Sequence, residues 1–161
     1  MIEETPTTPS VIRLATPEDI GIIDELDRLS SSPTRNIHRE MEKYFGSVDP
    51  STHERSLIFL AQVGEDVAGK AELLVAPQSV ARETSADLGV GYIRRVIVMP
   101  EYRKLGLARK LMLYIIGYAR AELSLTALDL HVWEQNAPAI RLYESLGFEM
   151  QHRELYFHLD L

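Results

Sequence analysis

Apolar and polar positions alternate along the chain with two different periods, and the switches between them mark its elements. Residues 10–14 read as a short strand. Thr16, Pro17 and Asp19 then open a helix whose apolar face is Ile20, Ile23, Leu26 and Leu29. A second helix is predicted over residues 34–45. Residues 57–63 and 67–75 form a hairpin across Gly64 to Asp66, and residues 89–98 are the next strand. From Leu105 onward the period returns to helical, with Leu105, Ala108, Leu111, Met112, Ile115, Ile116 and Ala119 on one face. A strand over residues 127–132, a helix over 136–146 and a terminal strand over 153–159 complete the order β-α-α-β-β-β-α-β-α-β. That order predicts a mixed α/β sheet, antiparallel at first and then parallel across the long helix.

The strand 89–98 breaks its own parity. Tyr92, Ile93, Arg94, Arg95, Val96, Ile97 and Val98 do not alternate, as at a β-bulge that re-aims backbone groups; a strand buried on both faces would give the same run at 96–98.

Directly after that strand come a proline stop and a glycine turn. Arg103, Lys104, Leu105, Gly106, Leu107, Ala108 and Arg109 lead into a helix start, where free N–H groups and the positive dipole end favour anions. Gly106 and Ala108 let the backbone approach a ligand, and two cations stand at the entrance. A plain strand-to-helix turn is the alternative. G-x-G-x-x-G is not completed, because Arg94 follows Gly89 and Gly91 where the third glycine would be. The stretch 64–71 imitates a nucleotide loop, but Ala71 stands where a magnesium-binding hydroxyl is needed and the segment lies in a hairpin, so NTP binding there is a weak reading.

Composition narrows the picture. A length of 161 residues with 45% hydrophobic content suits one domain, predicted over 10–161 after a loose tail at 1–9. Neither a leader pattern nor an apolar run of bilayer length is present, which leads us to expect a cytoplasmic protein with no membrane partner. The absence of cysteine excludes disulfides, thiolate metal sites and a cysteinyl acyl-enzyme. His38, His53, His131, His152 and His158 show no ligand spacing, so no metal is predicted. Residues 1–91 carry 8 basic against 16 acidic side chains and residues 92–161 carry 9 against 8, within a net charge of −7. Such a division argues against nucleic acid and suits an anionic cofactor on the second half and a cationic substrate on the first. A merely soluble acidic surface would also account for it.

Residues 128–149 then supply a strand, an Asn-led helix bearing Tyr143, and a Gly147 stop before Phe148. The loop pattern R-x-x-G-x-A from Arg103 to Ala108, followed by Asn136, Ala139, Tyr143, Gly147 and Phe148 in N-x-x-A-x-x-x-Y-x-x-x-G-F spacing, resembles the GNAT superfamily of acyl-CoA-dependent N-acetyltransferases. The likeness is specific over residues 93–149. It implies the mixed-sheet GNAT fold and acetyl-CoA as co-substrate for direct acetyl transfer to a primary amine of a small molecule or peptide. It also implies that backbone groups of Val96, Ile97 and Val98 bind the pantetheine arm, that residues 103–109 hold the pyrophosphate, and that Tyr143 donates a proton to the departing thiolate. Asn136 either reaches the pantetheine or caps its helix, and both roles can coexist. His131 aligns with a glutamate base of the ribosomal-protein alanine branch, with Glu134 and Glu72 as competitors and Tyr156 as a lining residue. Dimerisation is common in that superfamily, so a homodimer is compatible with the resemblance. A non-catalytic acyl-CoA-binding module of the same fold is the alternative function.

Overall fold

The computed structural model describes residues 9–29, 54–75, 89–155 and 157–161. The helix expected over 34–45, the 78–88 connection and most of the N-terminal tail lie outside the described residues, as does Tyr156. The chain divides into two compact units, Met1–His131 and Val132–Leu161.

In the first unit, β1 (Ser10–Leu14), β2 (Arg55–Val63), β3 (Asp66–Val75), β4 (Val90–Val98) and β5 (Ala127–Leu130) form one sheet in sequence order. The first four strands are antiparallel neighbours, and β4 pairs with β5 in parallel. Among its described residues are two α-helices, α1 (Ile20–Arg28) and α2 (Leu107–Ala121). Side chains alternate along β2, which assigns each helix a face. Ile58 and Leu60 cluster with Ile23 of α1, whereas Phe59 between them makes edge contacts with Tyr114 and Tyr118 of α2 at ring distances of 5.8 and 5.3 Å. Ile23, Leu26, Leu111, Met112 and Ile115 have no exposed surface, and such burial is worth about 1.5–3 kcal/mol per side chain.

The entry to α1 is fastened electrostatically. Asp19 accepts the Thr16 N–H at 2.8 Å and a bidentate pair of bonds from Arg13, both 2.8 Å. Bonding to Arg13, followed by the Thr16 backbone bond, outweighs partial burial and holds the Asp19 carboxyl down to about 2.

Three expectations are corrected. Helix α2 starts at Leu107, because Gly106 at φ 73° is in the left-handed region and cannot continue a helix from Leu105; the Leu105 side chain is exposed. Strand β5 ends at Leu130, so His131 and Val132 lie past it. Pairing stops at Ile93↔Leu130, just before β4 bulges and turns away. In the second unit, α3 (Ala137–Ser145) forms as expected, but the described residues of 153–159 carry no strand. Leu155, Phe157 and Leu159 alternate as a strand would, yet all are more than three-quarters exposed, and within Val132–Leu161 there is no described strand to share a ladder with.

Candidate active site

The site in the first unit starts from an irregularity of β4. Lys70 pairs with Ile97 and Glu72 with Arg94, so Ala71 on β3 faces two β4 residues, Arg95 and Val96. Arg95 takes φ 52°, the left-handed turn that this bulge type ordinarily gives to glycine, at a cost of about 1–2 kcal/mol for a residue with a Cβ. The bulge explains the broken parity: Arg94 and Arg95 both reach Glu72, at 3.2 and 3.1 Å.

On its other side β4 is open. The ladder with β5 covers Val90 to Ile93 only, so among the described residues 94–98 have no β5 partner. The parallel strands therefore diverge at their carboxyl ends, the position where open α/β sheets take ligands. Val98 leads through Met99, whose N–H bonds Ala68 at 2.8 Å, into a short turn at Pro100–Tyr102. Tyr102 donates to Asp66 at 2.8 Å and fixes that turn to the β2–β3 hairpin. Lys104 and Gly106 then both adopt positive φ, 65° and 73°. Backbone with left-handed residues aims successive N–H groups into one concavity. The first helical bond of α2 runs from Lys110 N–H to Gly106 at 3.1 Å, so the N–H groups from Gly106 to Arg109 have no intrahelical acceptor.

The residues of this loop divide by role. Arg103 and Lys104 are exposed, and Leu107 is buried, so its side chain anchors the loop in the core while its N–H stays in the concavity. A Cβ built on Gly106 meets nothing within 4 Å. Conformation demands the glycine here, and the space above it is open to a ligand.

His131 lies just past β5, exposed, with Nδ1 2.6 Å from the Tyr92 hydroxyl on β4. With the phenol donating, the ring carries its proton on Nε2. Tyr92 was missed in the sequence because a tyrosine in an apolar strand gives no signal until the β4–β5 register places it beside His131. Glu72, a competing base, is fully buried, and its oxygens are engaged by Lys70 Nζ at 2.8 Å and by both arginines. It presents no lone pair to an amine.

In the second unit, Asn136 accepts the Ala139 N–H at 3.4 Å and caps α3, with Pro138 in the first turn. Gly147 at φ 97° ends the helix, and Phe148 N–H returns to the Tyr143 carbonyl at 3.0 Å. That return packs the Phe148 ring edge-on against Tyr143, centroids 6.0 Å apart. Burial pushes the Tyr143 phenol above its ordinary value. Glu134 is exposed and lies 3.5 Å from Arg153.

The model of the acetyltransferase (GNAT) family matches residues 23–148, and the chain belongs to that family. Glucosamine 6-phosphate N-acetyltransferase of Trypanosoma brucei brucei is 26% identical over 144 residues, 89% of this chain and 86% of its own. The catalytic subunit of the N-terminal acetyltransferase B complex of Arabidopsis thaliana is 37% identical over 68 residues, 42% of this chain. That alignment spans 39% of the Arabidopsis protein. Among solved structures, an aminoglycoside N-acetyltransferase in complex with CoA shares the fold at TM-score 0.68 and 16% identity, covering 94% of this chain and 100% of its own. No helix among the described residues is long and apolar enough to cross a membrane.

Proposed function

We propose that the protein is an acetyl-CoA-dependent N-acetyltransferase acting by direct transfer to a primary amine of a small molecule or peptide. One observation carries the reading: the open, bulged edge of β4 at 94–98 leads through the Pro100–Tyr102 turn into a left-handed loop and the start of α2, where the N–H groups have no acceptor within the helix. An extended pantetheine arm would add to that edge as a strand, and the pyrophosphate would sit on the N–H groups of residues 106–109 beside Arg103 and Lys104. When bound, acetyl-CoA supplies an activated acetyl group: the amine nitrogen bonds to the acetyl carbon as the carbon–sulfur bond breaks.

The chain's residues supply the rest. Of the stretch Val96 to Val98, the Ile97 N–H faces β3 as the Met99 N–H does, and the N–H groups of Val96 and Val98 are the ones that stabilise charge on the acetyl oxygen. An alkyl amine, with pKa about 10.4, gives its first proton to solvent to become the neutral nucleophile, and as the new C–N bond forms the Tyr92 oxygen takes the second while its own hydroxyl proton passes to His131 Nδ1. Tyr143 gives its phenolic proton to the sulfur. The acceptor classes named for the relatives, a sugar amine and a peptide N-terminus, are the first to assay.

Calorimetric titration with acetyl-CoA tests the reading. Micromolar binding by the wild type, lost in Arg103→Ala plus Gly106→Asp, is expected, and an amine screen for turnover follows. A wild type that does not bind at millimolar acetyl-CoA would sink it. Binding without turnover on any amine class would leave the non-catalytic acyl-CoA module as the better account.

A further inference from the structure

We propose that Glu72 is a positioning residue for this transfer: through Arg95 it holds the β4 bulge in the left-handed turn that presents Val96 to Val98 to the acetyl thioester. The inference rests on the functional reading above and adds to it the part that keeps the edge in shape.

Arg95 is the one non-glycine residue of positive φ within a described strand; among the other described residues, Lys104 and Ser124 share that conformation and lie between elements. Glycine would take that turn freely, and arginine does so against its Cβ. What distinguishes this arginine is the far end of its side chain. Its NH1 lies 3.1 Å from Glu72 Oε2 and 3.5 Å from Oε1. The Glu72 carboxylate is itself immobilised, with no exposed surface, bonded by Lys70 Nζ along its own strand and by Arg94 Nε across the ladder. Lys70, fully buried, also pairs with Asp27 of α1. The carboxylate is thus a fixed post tied to a helix and to both strands, and Arg95 is leashed to it across the bulge.

A network of this kind is a poor device for stability alone, since apolar residues of equal volume generally serve as well. Its geometric product is specific. Arg94 faces Glu72 by register, and Arg95 reaches the same carboxylate only because the bulge turns it there. The ion pair and the left-handed turn therefore form together, immediately before the stretch Val96 to Val98, in which the strand resumes its register with β3 at Ile97 and Val98.

The test separates backbone shape from side-chain charge by comparing Arg95→Gly with Arg95→Val, using acetyl-CoA affinity by calorimetry and amide shifts of Val96 to Val98 by NMR. Glycine adopts the turn without the leash, so Arg95→Gly should keep the acetyl-CoA Kd within about threefold, whereas β-branched valine, which resists that turn, should raise it about tenfold or more. Glu72→Gln should weaken binding about tenfold in the wild-type background and less than about threefold on top of Arg95→Gly, because the dependence passes through Arg95. Where Glu72→Gln does not fold, the glycine and valine variants decide alone, since Arg95 lies at the partly exposed end of the network. Equal affinities for Arg95→Gly and Arg95→Val, both retained or both lost, would overturn the positioning role while leaving the acetyltransferase reading intact. No acetyl-CoA binding by the wild type would overturn both.

Discussion

Tyr143 and Asp19 show how single side chains set measurable pH behaviour in opposite directions. Burial raises the Tyr143 phenol above 10, so it keeps its proton throughout the neutral range, as a proton donor must. Tyr143→Phe should lower kcat by about 100-fold, the usual size of a lost general acid, with acetyl-CoA affinity within about twofold. In a wild-type kcat profile, any alkaline decline due to this phenol should have its midpoint on the alkaline side of an ordinary tyrosine. At Asp19 the folded pKa, about 2, lies below the ordinary 3.8. Its stabilising contribution is complete above pH 3.8 and disappears as the pH falls through 2. Asp19→Asn should cost about 1–2 kcal/mol at pH 7 by urea denaturation, reduced by solvent at the Arg13 side, with the difference shrinking as the pH falls below 3.8 and gone only below the folded value of about 2. At this scale the sequence is legible where a residue's role is local. Asn136 before Ala-Pro announces a cap, and Gly106 announces a turn. Tyr92 beside His131, and Glu72 between two arginines, are products of strand register, which no local spacing encodes.

Elements repeat the pattern. The amphipathic periods of α1 and α2, the hairpin at Gly64 and the broken parity of β4 were all readable, because each follows from neighbouring residues along one segment. The end of β5 depends on where β4 turns away, and the alternation of 155, 157 and 159 states only that a strand could form there. Close approach between elements is likewise invisible in sequence and testable in the fold. Gly69 on β3 faces Val98, and a Cβ there would stand 2.8 Å from the Ile97 carbonyl oxygen and 3.3 Å from Val98 Cγ2. The nearest obstacle is backbone and cannot swing aside. Gly69→Ala should destabilise the protein by about 1–3 kcal/mol, seen as a lower Tm. Because it forces β3 and β4 apart next to the bulge, it should also weaken acetyl-CoA binding. A variant with unchanged Tm would show that the strands can separate there without loss.

For the molecule as a whole, charge is the property that acts at a distance. The net charge is −7, and the cations of the α2 loop stand against an excess of acidic groups in residues 1–91. Several of those acids are on the surface: Glu18, Asp24 and Glu25 are exposed at or on α1, and Glu65 is exposed in the hairpin turn. By contrast the carboxylate nearest the β4 bulge, Glu72, is neutralised by buried and half-buried cations, so the acidic field comes from the surface and not from the site. A field of that origin acts on encounter, over a Debye length of roughly 10 Å at 0.1 M salt, and leaves the bond-making step untouched. For a polycationic amine acceptor, raising salt from about 20 to 500 mM should therefore increase KM several-fold with kcat unchanged, while an uncharged-shell acceptor with a single amine should respond little. Steady-state kinetics of the two acceptors across that range would check it. Equal salt responses would mean that the acidic surface serves solubility alone, and a fall in kcat for the polyamine would place the charge effect inside the site, beside His131 and Tyr92.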